Sequence, residues 1–380
     1  MQRDLYEETH LAFGQAYRQF LEKEVAPYHD QWETDGIVDK NLWRKAGAQG
    51  FLCMDVDTAY GGQGLKDYRY NMIMAETQAG MLLSGPLFNL GTDIVVPYIS
   101  HYATEEQKQR WLPKLVTGEW ISAIAMSEPH TGSDLASIET VAVDQGDHYL
   151  LNGRKFWISN GALSDILVVV AKTDPDARHS GISLLVLERD KQPYETVRIL
   201  DKIGYKARDV TELCFDQIRV PKENLLGEEG HGFYYLMQQL PQERLGIAVS
   251  NIATAEALLN YTINWCQERE AFGRPIGKFQ NTRFKLAEMK TEIAVGRAFV
   301  DKCARAHLTL DLTAEEAAMA KWWCSELLQR VTYQCSQLFG GRGYLEENPV
   351  ARAFVDSRVE TIYGGTTEIM KEIIGRSMGF

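Results

Sequence analysis

The segment IYGGTTEIM, Ile362 to Met370, places two glycines directly before a Thr-Thr-Glu sequence that is typical of a helix start. The N-terminus of a helix offers free backbone N–H groups that bind anions. Gly364 and Gly365 have no side chain, so only their main-chain groups can take part in chemistry. The segment therefore indicates a site that holds a negatively charged oxygen through its backbone.

Other polar or glycine-rich segments are typical of ordinary structure when each is taken alone. They are AMSEPHTGSD (125–134), a polar turn; WISNG (157–161), a strand end; QEREAFGRPIGKFQ (267–280), a helix–loop–helix junction; and FGGRGY (339–344), a turn after a helix. The last lacks the spacing of a P-loop, and it follows a helix rather than a strand, so the Rossmann fingerprint does not apply. Glu243 in LPQERLGI, taken alone, is typical of a solvated charge on a helix surface.

Together, in this order and at these separations, the segments resemble the acyl-CoA dehydrogenase family from about Leu5 to the C-terminus. The motifs SEPHTGSD, WISNG, REAFGRPIGKFQ, QLFGGRGY and IYGGTTEI carry the resemblance, which is closest to the long-chain branch of the family. The resemblance implies an FAD-dependent α,β-dehydrogenation of an acyl-CoA thioester to the trans-2-enoyl-CoA. It also implies electron-transfer flavoprotein as the electron acceptor and a homotetramer built as a dimer of dimers.

The resemblance assigns most of these motif residues to the FAD. They are Ile124, Ala125, Met126, Ser127, Gly132, Ser133, Trp157, Ile158, Ser159, Arg269, Phe272, Gln280, Gln337, Gly340, Gly341, Thr366, Thr367 and Glu368. Trp157 is expected to stack near the flavin ring, with Ser159 close to N5. The segment containing Arg269 is expected to reach the FAD of a neighbouring subunit. Arg269 is expected to pair with the pyrophosphate of that FAD, because a guanidinium fork matches phosphate oxygens. His130-Thr131 departs from the small Gly-Ala pair of the family and adds bulk beside this predicted flavin loop.

The catalytic base is expected at Glu243. Many members of the family have a Glu where this chain has Gly364, whereas the long-chain and isovaleryl branches place the base at the position of Glu243. A carboxylate held against the α-carbon in a water-poor pocket suits the removal of a weakly acidic proton. The backbone N–H groups of Gly364 and Gly365 are expected to bind the thioester oxygen. The resemblance also assigns residues to the substrate: Ser133, Tyr234, Leu240, Pro241, Gln242, Glu243, Arg244, Gly364 and Gly365.

The absence of a side chain at Gly364 predicts open space near the β-carbon of the substrate. This space suits a 3-methyl-branched chain, as in isovaleryl or citronellyl thioesters, and equally a straight medium or long chain. The alternative functions on the same scaffold are an acyl-CoA oxidase, a flavin monooxygenase and a non-catalytic, DNA-associated flavin protein.

The elements that position these residues follow three patterns along the chain. Helical spacing of apolar residues predicts an α-helical N-terminal domain over 1–120 and a four-helix bundle over 231–380. Capping-box sequences start helices at Thr104 and Thr313, and the second helix is predicted to run through QCSQLF. Short β-branched runs over 121–230 predict a central antiparallel β-barrel, with Asn152-Gly153 as a hairpin turn. The fold class is thus α+β multidomain, similar to that of acyl-CoA dehydrogenases.

Composition limits the functional class. The chain of 380 residues has 52 acidic against 40 basic residues, a formal net charge of -12, which argues against a dedicated nucleic-acid-binding protein. Its six cysteines show no CxxC spacing, so neither a zinc site nor a disulfide framework is predicted. MQRDLYEETH does not resemble a secretory signal, and no apolar run is long enough for a membrane span. A cytoplasmic enzyme is expected, or a mitochondrial matrix enzyme if a transit peptide was removed.

Overall fold

The computed structural model describes residues 3–380, so the first two positions of the predicted N-terminal domain lie outside the described residues. The N-terminal part is helical. Its helices are α1 Glu8–Glu24, α2 His29–Asp35, α3 Asn41–Ala48, α4 Arg69–Gly80, α5 Val96–Tyr102 and α6 Glu105–Val116. A π-helical segment, Leu90–Val95, runs directly into α5. The capping box predicted at Thr104 is confirmed, since Thr104 and Gln107 exchange both side-chain-to-backbone hydrogen bonds.

The middle part is a twisted sheet. Its strands are β1 Ser122–Ala125, β2 Val141–Asp144, β3 His148–Ser159, β4 Ile166–Lys172, β5 Ile182–Glu188, β6 Glu195–Ile199, β7 Val210–Pro221 and β8 Leu225–Leu226. They lie in the order β6-β7-β3-β2-β4-β5-β8, with β1 beside β4. One face packs against the N-terminal helices through residues such as Val168, and the other face encloses a core of its own around Val169.

This sheet confirms a central β-region but not a closed barrel. Within residues 3–380 the end strands β6 and β8 do not pair with each other, so the sheet does not close. The expectation of a wholly antiparallel sheet is wrong, because β2 runs parallel to β4 at Val141 and Lys172, and β1 also runs parallel to β4. A long connection that contains β2 and β3 returns the chain to the same end of the sheet, so β1 and β4 point the same way.

The hairpin turn predicted at Asn152-Gly153 is also wrong. The β2–β3 turn lies at Gln145–Asp147, where Gln145 N–H donates to His148 O at 2.9 Å. Gly153 instead lies inside β3 at a shift in the β3–β7 register, with φ of 153°. A Cβ on Gly153 would lie 2.4 Å from Thr140 Oγ1, so the glycine is required by close packing within a bulge.

The C-terminal part is helical again. Its helices are α7 Gly232–Glu268, α8 Gln280–Leu308, α9 Ala314–Phe339, α10 Pro349–Asp356 and α11 Thr367–Ser377, and two short strands, β9 Glu270–Ala271 and β10 Arg274–Pro275, precede α8. Helices α7, α8 and α9 pack side by side around a shared apolar core, to which α10 contributes Val350 and Ala353, and α11 packs against α9. The predicted extent of α9 is confirmed, and Thr313 accepts a hydrogen bond from Glu316 N–H at its start. Among the described residues, none of these helices is long and apolar enough to cross a bilayer.

Candidate active site

Glu243 lies in the first half of α7 and is almost fully buried, with 8% of its surface exposed. Its Oε1 accepts a hydrogen bond from the Tyr98 hydroxyl on α5 at 3.0 Å. Burial raises the pKa of Glu243 to about 7, although the Tyr98 hydroxyl and the Arg244 guanidinium both lower it. Among the described residues no cation forms an ion pair with this carboxylate. Glu243 therefore has the protonation behaviour that a general base needs near neutral pH, and the surface-charge alternative does not describe it.

The Gly364-Gly365 turn lies beside the next residues of α7. Arg244 Nε donates to Gly364 O at 3.4 Å, and Lys321 Nζ on α9 donates to Gly365 O at 2.6 Å. Both glycines have positive φ, 65° and 96°, which is the region that glycine adopts without strain. Among the described residues, neither glycine N–H donates a hydrogen bond. The turn thus directs its carbonyls to two fixed cations and leaves its N–H groups available to an oxyanion.

The space expected at Gly364 is partly filled. A Cβ built on Gly364 would lie 2.4 Å from Cδ1 of Ile247, one turn after Glu243 on α7. The position of the first carbon of the missing side chain is therefore taken by the end of a flexible side chain, and the open space near the β-carbon of the substrate stays a prediction. An isoleucine from the helix that carries the candidate base occupies that position.

The segment after β1 and the neighbouring part of β3 carry predicted flavin residues and form a surface, here called the wall. Phe156 N–H donates to Ser127 O at 3.0 Å and so joins this segment to β3. Trp157 follows in a bulge of β3 with φ of 61°, and 55% of its surface is exposed. A bulge turns a side chain away from the sheet core, so the bulge explains how a large aromatic ring is presented on the surface.

A buried ion pair supports this wall. Lys155 is 0% exposed, and its Nζ donates to Glu128 Oε1 at 2.8 Å and to Met126 O at 2.9 Å. Glu128 also accepts from the N–H groups of Glu139 and Thr140. Burial lowers the pKa of Lys155 to about 8 in spite of its partner. The main chain at Met126 is therefore held in one position, as a cofactor platform requires.

The predicted flavin residues of this wall fall into two groups. Ile124 and Met126 pack towards the N-terminal helices, whereas Ala125 and Ile158 belong to the core of the sheet, where only their backbone can contact a cofactor. His130 is exposed, and its neighbours Glu128 and Thr131 exchange backbone hydrogen bonds in a tight turn. The His130 side chain, which was expected to add bulk beside the flavin loop, is therefore exposed to solvent.

The donors on this wall suit a flavin. The hydroxyls of Ser127 and Ser159, both half-buried, have no hydrogen-bond partner among the described residues, nor do the N–H groups of Met126 and Ser127. An exposed indole beside several free donors can stack on a planar ring and bind its carbonyl and nitrogen acceptors. The residues present therefore fit the predicted FAD. Gly132 and Ser133 follow in an exposed part of the same segment.

A second set of predicted cofactor residues lies at the opposite end of the helices. These residues are exposed and sit where α7 and α9 end and α8 begins: Arg269, Phe272, Gln280, Gln337, Gly340 and Gly341. Phe272 is 96% exposed with a positive φ of 54°. Arg269 follows Glu243 along α7 by about 39 Å at a rise of about 1.5 Å per residue. One flavin ring cannot lie beside both, so this surface is separate from the Glu243 site within one chain.

The start of α11 uses its side chains for the fold. Thr366 Oγ1 accepts from Ile369 N–H at 3.3 Å as the N-cap, and the buried Thr367 donates to Glu326 at 2.8 Å. Glu368 is exposed. The free N–H groups at this helix start can bind an acceptor, but the Thr367 hydroxyl is already engaged.

The predicted substrate residues on α7 differ in their accessibility. Tyr234 is exposed and accepts from Gln238, whereas Leu240 and Pro241 are half-buried. Gln242 donates to Asp93 O at 2.7 Å and contacts His307 at 3.1 Å, so it joins α7 to two other elements. Its side chain is therefore fully used in the fold.

Three residues of the site were missed by the sequence reasoning: Tyr98, Lys321 and Lys155. Each is buried and binds a residue that had been predicted. A tyrosine or lysine within an apolar helix or strand pattern gives no local sign of which distant group it reaches. Only Lys155, two residues before the WISNG motif, lies close to a predicted segment.

Comparisons with known proteins bear on this site. Models of the N-terminal, middle and C-terminal domains of acyl-CoA dehydrogenases match residues 7–119, 123–218 and 230–379. The chain is 46% identical over 378 residues to a protein of Rattus norvegicus named long-chain specific acyl-CoA dehydrogenase, mitochondrial, covering 99% of this chain and 88% of that protein. It is 35% identical over 377 residues to isovaleryl-CoA dehydrogenase, mitochondrial, of Solanum tuberosum, covering 98% and 91%. A crystal structure of an acyl-CoA dehydrogenase from Geobacillus kaustophilus matches with a TM-score of 0.97 and 48% identity over 99% of both chains.

Proposed function

The chain belongs to the acyl-CoA dehydrogenase family, and we propose that it oxidises an acyl-CoA thioester with Glu243 as the base that removes the α-proton. FAD, when bound on the wall, would supply the acceptor for the hydride that leaves the β-carbon. The observation that carries the assignment is the buried Glu243 carboxylate with a pKa of about 7, beside a turn that has no side chain of its own.

Glu243 suits proton removal because it lies where water is scarce. An acyl chain that enters the pocket removes the remaining water and raises the pKa of the carboxylate towards that of the proton it takes. Tyr98 holds Oε1 at 3.0 Å, which leaves Oε2 free to face the α-carbon. The enolate-like charge that develops on the thioester oxygen meets the N–H groups of Gly364 and Gly365. Arg244 and Lys321 hold this turn by its carbonyls, so the donors are fixed before the substrate binds.

FAD is proposed to lie on the wall formed by Met126, Ser127, Trp157 and Ser159. The free donors of this wall face the pyrimidine side and N5 of the ring. The distant surface around Arg269 and Gln337 is proposed to bind the pyrophosphate and adenosine half of a neighbouring subunit's FAD, which requires at least a dimer; the proposed assembly is a homotetramer built as a dimer of dimers. The separation of about 39 Å along α7 supports this division.

The proposed substrate is a medium- or long-chain or 3-methyl-branched acyl-CoA, and the proposed acceptor is electron-transfer flavoprotein. Cδ1 of Ile247 occupies the position that a Cβ at residue 364 would take, and it therefore narrows the room for a methyl branch on the acyl chain. The relatives named for long-chain and isovaleryl substrates support both chain types.

The test is anaerobic reduction of the bound flavin in Glu243→Gln. The variant keeps the shape of the side chain and a hydrogen-bond acceptor for Tyr98, so it should purify yellow with a normal flavin content. Its rate of bleaching by acyl-CoA should fall by about 10²- to 10⁴-fold, the usual contribution of a general base. Glu288→Gln, an exposed change on α8 without a hydrogen-bond partner, is the matched control and should bleach normally. Normal bleaching in Glu243→Gln would refute the assignment of the base.

A further inference from the structure

A cavity lies between α4, the π-helical segment, α7 and α10. Its volume is about 90 Å³, and it is partly open to solvent. Ser250 and Thr254 line it from α7. At about 100° per residue they lie within about 20° of the direction of Glu243 around the helix axis. The cavity therefore continues along the face of α7 that carries the candidate base.

The walls of this cavity are of two kinds. Apolar side chains, Met74, Leu82 and Phe88 among them, suit the methylene groups of an acyl chain. Polar side chains face the same space. Among the described residues the hydroxyl of Ser250 and the side-chain amide of Asn89 have no hydrogen-bond partner. A tail made only of methylene groups would leave these polar groups unsatisfied, at about 1–3 kcal/mol each.

Asp93 is the most informative of the polar residues. It is 6% exposed, and its Oδ1 accepts from Asn71 Nδ2 at 2.6 Å and from Thr92 Oγ1 at 2.5 Å. Its second oxygen, Oδ2, accepts no hydrogen bond from the described residues, although the residue lines the cavity. Burial raises the pKa of Asp93 to about 6, while Thr92 and Asn71 lower it. At neutral pH the residue is mainly an anion whose Oδ2 lacks a donor among the described residues.

The arginines of the cavity do not supply that donor. Arg352 binds Asp30 at 2.5 Å, and the guanidinium of Arg208 lies 3.7 Å from the centre of the Tyr205 ring and donates to Ser84 O. Both are at the outer wall and already engaged. A carboxylate at the end of an acyl chain would meet the Asp93 anion before it met a free cation.

We propose that this cavity, here called the tail chamber, binds the hydroxyl group of an ω-hydroxyacyl chain through Asp93 Oδ2, Ser250 Oγ and Asn89. This inference rests on the proposed dehydrogenation at Glu243 and names its substrate class. Ser250 follows Glu243 by about 10.5 Å along α7 and Thr254 by about 16.5 Å. An extended alkyl chain advances about 1.3 Å per carbon, given C–C bonds of about 1.5 Å. The hydroxyl therefore lies roughly eight to thirteen carbons beyond the α-carbon.

The test compares kcat/KM of the holoenzyme for dodecanoyl-CoA and for its ω-hydroxy, ω-methoxy and ω-carboxy derivatives, with an artificial electron acceptor. The ω-hydroxy substrate should exceed dodecanoyl-CoA at least tenfold. The ω-methoxy substrate, which has no donor, and the ω-carboxy substrate should show no such gain. Hexanoyl-CoA, whose tail ends before the chamber, reports on the dehydrogenase function alone.

Two variants keep the outcome independent of misfolding. Asp93→Asn has the same shape but replaces the free acceptor by a donor, and it should reduce the gap between the ω-hydroxy and ω-methoxy substrates to less than threefold. Ser250→Ala should lower kcat/KM for the ω-hydroxy substrate by a larger factor than it lowers kcat/KM for hexanoyl-CoA. Equal or better turnover of dodecanoyl-CoA by the unaltered enzyme would refute the tail-chamber proposal, whereas failure with every substrate, hexanoyl-CoA included, would refute the proposed function itself.

Discussion

The raised pKa of Glu243 makes a prediction about stability that is independent of catalysis. In the folded chain the pKa is about 7, against an ordinary value of 4.5. The folded protein therefore binds more protons than the unfolded chain between these two pH values. Stability that is present at pH 4.5 is lost as the pH rises through about 7. The difference corresponds to about 3 kcal/mol at most, since one pKa unit is about 1.4 kcal/mol.

Glu243→Gln cannot ionise, so it should not show this loss. Unfolding entropy of about 2.1 cal/mol/K per residue gives about 0.8 kcal/mol/K for a chain of this length. A free-energy difference of about 3 kcal/mol then equals about 4 °C in Tm. We expect the Tm of Glu243→Gln to exceed that of the unaltered protein by about 4 °C at pH 8 and to approach it at pH 5.

The assay is thermal unfolding at both pH values with FAD in fixed excess, because a bound ligand shifts Tm by mass action. Glu288→Gln, exposed and without a hydrogen-bond partner, should follow the unaltered protein at both pH values. A Tm for Glu243→Gln that is equal to or below that of the unaltered protein at pH 8 would mean that the carboxylate is not destabilised by burial, and the reasoning for its role as a base near neutral pH would fail.

Three further predictions follow from the contacts of the site. Below about pH 7, kcat/KM should fall tenfold per pH unit, because the base Glu243 becomes protonated. Tyr98→Phe should move this acidic limb of the profile to higher pH by about one unit, because the variant loses a hydrogen bond to the charged carboxylate. A pH–rate profile measures both effects, and a shift of the limb to lower pH in Tyr98→Phe contradicts the role of Tyr98. Gly364→Ala should lower the unfolding free energy by about 1–2 kcal/mol, because φ is 65° and the Cβ would lie 2.4 Å from Ile247. Gly375→Ala, inside α11 with no heavy atom near its Cβ, is its control and should be neutral or stabilising in the same denaturant titration. Lys155→Met should cost about 3 kcal/mol, because it leaves a buried carboxylate unpaired, and should release FAD on gel filtration; full flavin retention would contradict the role of that ion pair.

The sequence predicted most reliably what depends on local pattern. The α9 helix was predicted to its last residue, because apolar spacing and the Thr313 cap define it without help from other segments. The family was also identified from motif order. The Asn152-Gly153 step failed because the same dipeptide suits a hairpin turn and a bulge inside a strand. Packing against Thr140, which no local rule reveals, selects the bulge.

The site was predictable in its residue types but not in its contacts. Glu243 was predicted as a base by resemblance, yet the reason why it can act as one is the burial and the Tyr98 hydroxyl supplied by α5, 145 positions away along the chain. In the same way, the engagement of Gln242 by Asp93 and His307 depends on how three elements pack. Side-chain contacts between distant segments are set by tertiary packing, which a single sequence does not display.

The packing of α7 gives a physical reason for the two glycines. Arg244, one residue after Glu243, donates a hydrogen bond to the carbonyl of Gly364. Ile247, four residues after Glu243, occupies the position that a Cβ at residue 364 would take. A glutamate at position 364 would need a different rotamer at Ile247 and would have to adopt a positive φ that side chains disfavour. The two arrangements of the base are therefore mutually exclusive alternatives of one local packing. With a carboxylate on α7, the turn keeps the positive φ values of Gly364 and Gly365, and among the described residues its two N–H groups remain without an acceptor.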